Sequence, residues 1–358
     1  MGSALCLVGV FGCGDDHEVV NPISDAATLS DTADTDSPLQ GDSGSQARGL
    51  VSVIVLPDTQ FYSAAFPQIF TAQTRWIVEQ KQNLNIAMVL HEGDIVDSDN
   101  AIQWQRAADS LHLLDGKVPY LLSAGNHDLP FGPLGLDREP KLMNKHFPVK
   151  SFSKSALWGG TFEEDRVENS YQFVQLGNSR WLTMSLEFGP RNQVLSWASA
   201  VLQANKDVNA IVVTHAYMNR DGTRFDRNRV TPQFFNPHGY GLDRFEGGVN
   251  DGEEIYQKLV SRHDNIRLVL SGHDLHPGVS RQTSRRASGS LVHEILANYQ
   301  ACAGLPCKLP DGSLTEGGDG YLRILTFDFE AGILHVRTHS PYLGRDKTDE
   351  SNQFDLLL

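Results

Sequence analysis

The sequence predicts an α/β fold built on a largely parallel sheet. Short apolar runs of strand length recur along the chain, and stretches with apolar residues three and four apart lie between several of them. The order strand, helix, strand favours βαβ units. The strand-like runs are 50–56, 85–91, 118–123, 171–176, 180–187, 209–214 and 266–271, and the helix-like runs are 68–82, 101–114, 191–205 and 252–262.

The C-terminal part of the chain has a different pattern. Its strand-like runs, 278–282, 291–297, 321–329 and 333–339, alternate with no helix between them. This pattern predicts antiparallel strands or a second sheet. No domain boundary is evident after residue 50, so we predict one domain over residues 49–358.

Composition limits the classes of function. The 358 residues, 40% of them hydrophobic, suffice for one large domain or two small ones. The net charge of -14 argues against nucleic-acid binding, which needs a basic surface. No apolar run approaches the roughly 18 residues that span a bilayer.

The N-terminus predicts an exported lipoprotein, periplasmic or at the cell surface. Residues 1–13 form a short apolar segment whose end, "VFGC", resembles a bacterial lipobox with Cys13 as the lipid-bearing residue. The structural alternative is an apolar strand with a buried cysteine. Residues 14–48 carry eight acidic residues and one basic residue, with few large apolar side chains. This segment is predicted to be a disordered acidic tether between a membrane anchor and the folded domain.

Two further cysteines, Cys302 and Cys307, lie in "CAGLPC". A loop disulfide fits an exported protein. Two free thiols are the alternative, and a zinc knuckle would need two more ligands nearby.

Polar side chains follow five of the predicted strands. The five segments are "DTQ" (58–60), "GDIVD" (93–97), "GNHD" (125–128), His215 and "GHDLH" (272–276). In open α/β sheets the carboxyl ends of the strands line the ligand crevice, so these groups should converge. Carboxylates, amide oxygens and imidazoles together suit hard or borderline divalent ions, and enough ligands are present for two.

The order and spacing of these segments resemble the calcineurin-like metallophosphoesterase superfamily. Its pattern runs D-x-H, GD-x-x-D, GNH-D/E, H and GH-x-H, and the resemblance extends from residue 50 to about 280. It implies two β-sheets in a sandwich flanked by helices, two divalent metal ions (Mn, Fe, Zn or Ca), and hydrolysis of phosphomonoesters or phosphodiesters.

The resemblance also implies a role for each matching residue. Asp94 would bridge the two ions. Asp58, Gln60 and His276 would complete one site, and Asn126, His215 and His273 the other. A metal-bound hydroxide would attack phosphorus. His127 would protonate the leaving oxygen as general acid and Asp97 would orient it.

Gln60 departs from the pattern, because it stands where the family has a histidine. A carboxamide oxygen is a neutral and weaker ligand than imidazole. Gln60 could bind a metal ion through its oxygen, could bind a metal-bound water, or could mark an empty site. We favour the first, because Asp58, Asp94 and His276 still supply three ligands.

A long segment, 218–249, is rich in arginine and aromatic residues and fits neither a strand nor a helix pattern. Loops of this length are often functional. Its candidate substrate-binding residues are Arg220, Arg224, His238 and Tyr240; the alternative for the arginines is surface charge. Two other functions remain open: a strict phosphodiesterase, and a non-catalytic cell-surface protein that keeps its metal site.

Overall fold

Two mixed β-sheets of seven strands each lie face to face in this protein, with helices on both outer surfaces. The computed structural model describes residues 49–275, 278–302, 305–309 and 312–358. The implied fold, a two-sheet sandwich flanked by helices, is confirmed.

The first sheet has the strand order β17-β16-β15-β1-β2-β3, with β18 also paired to β16. Pairing is parallel from β1 to β3 and antiparallel elsewhere. The strands are β1 (Val51–Leu56), β2 (Ile86–His91), β3 (Tyr120–Leu122), β15 (Leu322–Asp328), β16 (Ile333–Ser340), β17 (Arg345–Lys347) and β18 (Phe354–Leu357).

The second sheet has the order β11-β12-β10-β9-β8-β7-β6. Its centre, from β8 through β9 and β10 to β12, is parallel, and its edges are antiparallel. The strands are β6 (Trp158–Thr161), β7 (Ser170–Leu176), β8 (Ser179–Leu186), β9 (Ala210–Thr214), β10 (Ile266–Ser271), β11 (Gly278–Arg285) and β12 (Leu291–Asn298).

Seven α-helices and two small hairpins complete the described elements. The helices are α1 (Gln60–Ala65), α2 (Pro67–Gln80), α3 (Ala101–Leu111), α4 (Lys141–His146), α5 (Val149–Phe152), α6 (Asn192–Ala204) and α7 (Gly252–Lys258). Short 3-10 turns cover His112–Leu114, Pro237–Tyr240, Leu242–Arg244 and Val260–Arg262. The hairpins pair β4 (Phe131–Gly132) with β5 (Gly135–Leu136), and β13 (Cys307–Lys308) with β14 (Leu314–Thr315).

Three apolar layers hold these elements together. Alternate residues of β1, such as Val53 and Val55, face the second sheet, whereas Ile54 and Leu56 face helices α1 to α3. Helices α6 and α7 cover the outer face of the second sheet. Both faces of each central strand are therefore buried, which explains why the sequences of these strands are continuous apolar runs.

The observed topology differs from the prediction of one largely parallel sheet. Parallel pairing occupies only the centre of each sheet. The C-terminal strands divide between the two sheets, so that β12 joins β10 in parallel and β15 joins β1 in antiparallel fashion. Helix α1 was not predicted, because six residues are too few to show a helical period.

Several predictions concern residues beyond the described ranges. The signal segment 1–13 with Cys13, the tether 14–48 and the ligand His276 all lie there, and they stay predictions. Cys302 and Cys307 form a disulfide, with their Cα atoms 5.6 Å apart. In the residues that the structure describes, no helix has the length and apolar composition needed to cross a bilayer.

Candidate active site

The carboxyl ends of five strands from both sheets meet at one buried cluster. Ligand atoms of Asp94, which follows β2, His215, which follows β9, and His273, which follows β10, lie within 4.8 Å of one another. Asp58, which follows β1, accepts the His273 amide at 3.2 Å. The amide of His127, which follows β3, donates to Asp94 Oδ1 at 2.9 Å.

Two glycines permit this convergence. A Cβ atom at Gly125 would lie 2.1 Å from Asp94 Oδ1, and one at Gly272 would lie 2.0 Å from Asp58 Oδ1. Both distances are far below van der Waals contact. A side chain at either position would displace the neighbouring carboxylate, so only glycine is compatible with this cluster.

Two of the proposed ligands have a strained backbone conformation. Asp94 has φ 49° and His273 has φ 77°, both in the left-handed region that few residues other than glycine adopt. Strain of about 1–3 kcal/mol per residue persists only where the surroundings impose it. At these strand ends it aims the two side chains into the cluster.

The tautomers of the two imidazoles follow from their backbone partners. His215 donates its Nδ1–H to the Glu92 carbonyl at 2.9 Å, and His273 donates its Nε2–H to the Phe235 carbonyl at 2.8 Å. The remaining nitrogens, His215 Nε2 and His273 Nδ1, face each other at 3.1 Å. Asp94 Oδ2 lies 3.1 Å from His215 Nε2. Three acceptors that face one another require a cation between them, either a proton or a metal ion.

Two amide oxygens provide an independent test of fit for a metal ion. Gln60 and Asn126 are 2% and 7% exposed, and Gln60 Oε1 and Asn126 Oδ1 have no hydrogen-bond partner among the described residues. An unsatisfied buried acceptor costs about 1–3 kcal/mol. A coordinated cation would remove that cost, so these residues fit a site for hard or borderline divalent ions.

The carboxylates carry the electrostatic signature of such a site. Burial, together with repulsion from Asp94, raises the pKa of Asp58 to about 7 against the opposing effect of His215. Burial also raises the pKa of Asp94, but the charges of His215 and His127 lower it by more, so the net shift is downward. Asp94 is therefore the group that stays ionised, as a bridging ligand must.

Asn298 and Gln300 hold Asp58 in place, and sequence reasoning missed both. Asn298 Nδ2 donates to Asp58 Oδ2 at 2.7 Å, and Gln300 Nε2 donates to the same oxygen at 3.1 Å. Both residues are buried at the end of β12. Their segment, "NYQ", matches none of the five blocks; its one signal was its place directly after a strand.

Asp128 and His91 hold the loops that carry the proposed ligands through hydrogen bonds. Asp128 accepts the amides of Ile95, Val96 and Gly125 at 2.8–3.0 Å and so joins the loops after β2 and β3. His91 accepts the Gly93 amide on Nδ1, so its Nε2–H is the donor to Thr59 Oγ1 at 3.0 Å. Burial lowers the pKa of His91 to about 3, which keeps the ring neutral.

His127 stands at the open side of the cluster. Its side chain is 39% exposed, and its Nδ1–H donates to the backbone carbonyl of Asp97 at 2.7 Å. The Asp97 carboxylate is more distant, with Oδ1 3.8 Å from Nδ1. Burial lowers the pKa of His127, but Asp94 and the Asp97 carbonyl raise it by more, so the net shift is upward. Nε2 is left available to carry a proton towards a bound ligand.

The predicted substrate-binding residues separate into two groups. Arg220 lies beside the cluster, paired with Asp274, and Tyr240 packs its ring against His273 at 6.0 Å. Arg224 is bound instead by Glu253 and Glu294 and stacks on the Tyr256 ring.

His238 contacts Arg227, Asp243 and Glu254. The contacts of Arg224 and His238 favour a role in holding the loop, and their assignment to substrate stays a prediction.

Comparison with known proteins points to one family. Residues 51–277, more than half of the chain, match the family model of calcineurin-like phosphoesterases. An uncharacterized protein of Bacillus subtilis (strain 168), YvnB, is 31% identical over 308 residues, which are 84% of this chain. The chain spans only about a fifth (20%) of the length of that relative.

Two solved structures that match much of this chain share little sequence with it. Purple acid phosphatase PPD1 from yellow lupin (Lupinus luteus) matches with a TM-score of 0.49 and 14% sequence identity. The match covers 86% of this chain and 54% of the phosphatase chain. GAP50, the anchor in the inner membrane complex of Plasmodium, has a TM-score of 0.41 and 11% identity, covering 85% and 91%. On the family-model match over residues 51–277, this chain belongs to the calcineurin-like phosphoesterase family.

Proposed function

We propose that this protein is a metal-dependent hydrolase of phosphate esters with two divalent ions in the cluster. Asp94 serves both ions. Asp58, Gln60 and His276 complete one site, and Asn126, His215 and His273 complete the other. The observation that carries this proposal is the set of inward-facing acceptors: the two ring nitrogens 3.1 Å apart beside Asp94, and the two buried amide oxygens that lack partners among the described residues.

When bound, the two ions would supply Lewis acidity and would lower the pKa of a coordinated water. The protein's own residues provide the rest. The Asp97 carbonyl fixes the His127 ring so that Nε2, and not Nδ1, faces the open side. Burial lowers the pKa of His127, but Asp94 and the Asp97 carbonyl raise it by more, and the net upward shift favours the protonated form that a general acid requires. His127 is thus placed to protonate the departing ester oxygen.

Gln60 is the weakest ligand in this proposal. Its oxygen is buried, but a carboxamide oxygen is neutral and a weaker ligand than the imidazole that the family has at this position. Direct coordination and a hydrogen bond from a metal-bound water would each give the buried oxygen of Gln60 a partner, whereas an empty site would not. We favour direct coordination, because Asp58, Asp94 and His276 supply the other ligands of that site. We therefore propose a first site that binds its ion more weakly than the second.

The test combines metal analysis with paired assays. The purified protein is stripped with a chelator, reloaded with Mn, Fe, Zn or Ca, and assayed on an aryl phosphate monoester and a matching diester. We expect turnover only after reloading and up to two ions per chain. Turnover of the diester alone would identify a strict phosphodiesterase. Bound ions without turnover on either substrate would overturn the catalytic proposal and favour a non-catalytic binding protein.

A further inference from the structure

A pocket of about 430 Å³ opens directly beside the metal-ligand cluster. Among its lining residues are Arg220, Arg229, Pro232, Phe234, Phe235 and Asp274. Most of these come from the segment 218–249 that the family pattern does not explain. The volume lies within the range of sites for small organic ligands.

Two contacts fix the pocket to the site. The backbone carbonyl of Phe235 accepts Nε2–H of His273 at 2.8 Å, and the Phe235 ring lies 6.1 Å from the His273 ring. Asp274, the next residue after His273, also lines the pocket. Nδ1 of His273 faces the cluster and its Nε2 faces Phe235, so the His273 ring lies between the cluster and the pocket. The organic substituent of an ester held at the cluster would reach the pocket by extending past this ring.

One wall of the pocket is a guanidinium group held in a fixed plane. Asp274 is 1% exposed and accepts both the backbone amide of Arg220, at 2.7 Å, and its Nε–H, at 2.8 Å. The Arg220 side chain remains 40% exposed. A planar guanidinium that is neutralised at its edge presents a flat face for stacking.

The rim of the pocket presents apolar rings to solvent. Phe234 is 81% exposed and Phe235 is 44% exposed. The lining charges balance, because Arg220 and Arg229 pair with Asp274 and Asp221. A second anionic group of a substrate therefore gains no unpaired cation here. Seven of the ten lining residues are polar, which disfavours a long alkyl chain.

We propose that this pocket binds a flat aromatic group of the ester substrate, stacked between the Phe234 ring and the Arg220 guanidinium. The inference rests on the proposed function, because it names the class of substrate for the same site. Aromatic groups suit the pocket because every planar π face can stack on a ring or a guanidinium without specific hydrogen bonds.

A binding experiment tests the pocket independently of turnover. Metal-loaded protein is titrated by calorimetry with 2-naphthylmethylphosphonate and with propylphosphonate, neither of which is a hydrolysable ester. Phe234→Ala should weaken binding of the naphthyl compound at least about fivefold, as expected for loss of one stacking contact. Binding of the propyl compound should change by less than about twofold.

Phe131→Ala is the matched control, since Phe131 is also 81% exposed and lies on a hairpin outside the pocket lining. It should leave both affinities unchanged. Equal weakening of both ligands by Phe234→Ala, or none, would overturn the inference, as would tighter binding of decylphosphonate than of the naphthyl compound. Absence of turnover with retained Phe234-dependent binding would refute the proposed function but not the pocket.

Discussion

Three of the proposed ligands, Asp58, His215 and His273, are held in position by residues outside the ligand set. His215 and His273 are held by backbone carbonyls of Glu92 and Phe235, and Asp58 is held by Asn298 and Gln300. Such partners set the tautomer and orientation of a ligand and tune its basicity. The chemistry of the site therefore depends on residues that no metal would touch.

His127→Ala tests the general acid. We expect kcat to fall by about 100- to 10,000-fold, the usual contribution of a positioned general acid, with metal content unchanged. The loss should be smaller for esters with acidic leaving groups, which need less protonation. His112→Ala is the control, because His112 pairs with Asp115 near the surface and contacts the Phe147 ring but none of the proposed ligands. Unchanged turnover in His127→Ala would remove His127 from the mechanism.

Asn298→Ala tests the support of Asp58. Loss of the 2.7 Å hydrogen bond should weaken metal binding by about 10- to 100-fold, because Asp58 loses the shorter of its two side-chain hydrogen bonds and Gln300 alone orients it less tightly. Equilibrium dialysis against Mn²⁺ or Zn²⁺ measures the effect. Asn298→Asp removes the same donor but adds a negative charge that by itself favours a cation, so weaker binding in this variant would show that the orientation of Asp58 outweighs the added charge. Wild-type affinity in Asn298→Ala would contradict this role.

Among the elements, the segment between β9 and α7 shows how a long loop is kept rigid. Arg224 reaches from this segment to Glu253 at the start of α7 and to the fully buried Glu294 on β12. Asp251 caps α7 and also accepts the Arg227 amide at 2.7 Å. These contacts attach the segment to α7 and to the second sheet. They thereby position the Phe235 carbonyl to accept the hydrogen bond from His273.

Arg224→Met should lower the free energy of unfolding by about 3 kcal/mol or more. The change leaves the Glu294 carboxylate buried without its cation, which is the costly way to break a buried pair. Urea titration followed by circular dichroism measures the loss. The exposed Arg285, on the neighbouring strand β11, provides the control Arg285→Ala, which should change stability by less than about 0.5 kcal/mol. Equal stability of the two variants would refute this anchoring role.

In the whole molecule, the cluster joins the two sheets. Asp58, Asp94 and Asn126 come from loops of the first sheet, and His215 and His273 from loops of the second. Ions held between them would crosslink the sandwich at one end, and would neutralise carboxylates that repel each other when buried.

Chelation should therefore destabilise the entire domain. Each ion at 100 times its dissociation constant contributes about 2.7 kcal/mol, so removal of one ion should lower Tm by about 4 °C and removal of two by about 8 °C. Differential scanning calorimetry before and after metal removal measures the shift, and re-addition of the ion should reverse it. An unchanged Tm, with metal loss verified by elemental analysis, would show that the ions do not link the sheets.

The sequence by itself predicted the central strands, the four main helices and the five polar segments at strand ends. These are local signals, since apolar periodicity and strand-end motifs are written in consecutive residues. The family and the two-sheet fold followed from the order of those segments, and both were confirmed.

Contacts between residues that are far apart in the sequence could be found only in the tertiary structure. Asn298 and Gln300 reach Asp58 across more than 200 residues, and no local pattern marks them. The two candidate arginines of the loop look alike in sequence, yet Arg220 lines a pocket and Arg224 pairs with a buried glutamate. Partner choice depends on which groups the fold desolvates together, and that is a property of packing.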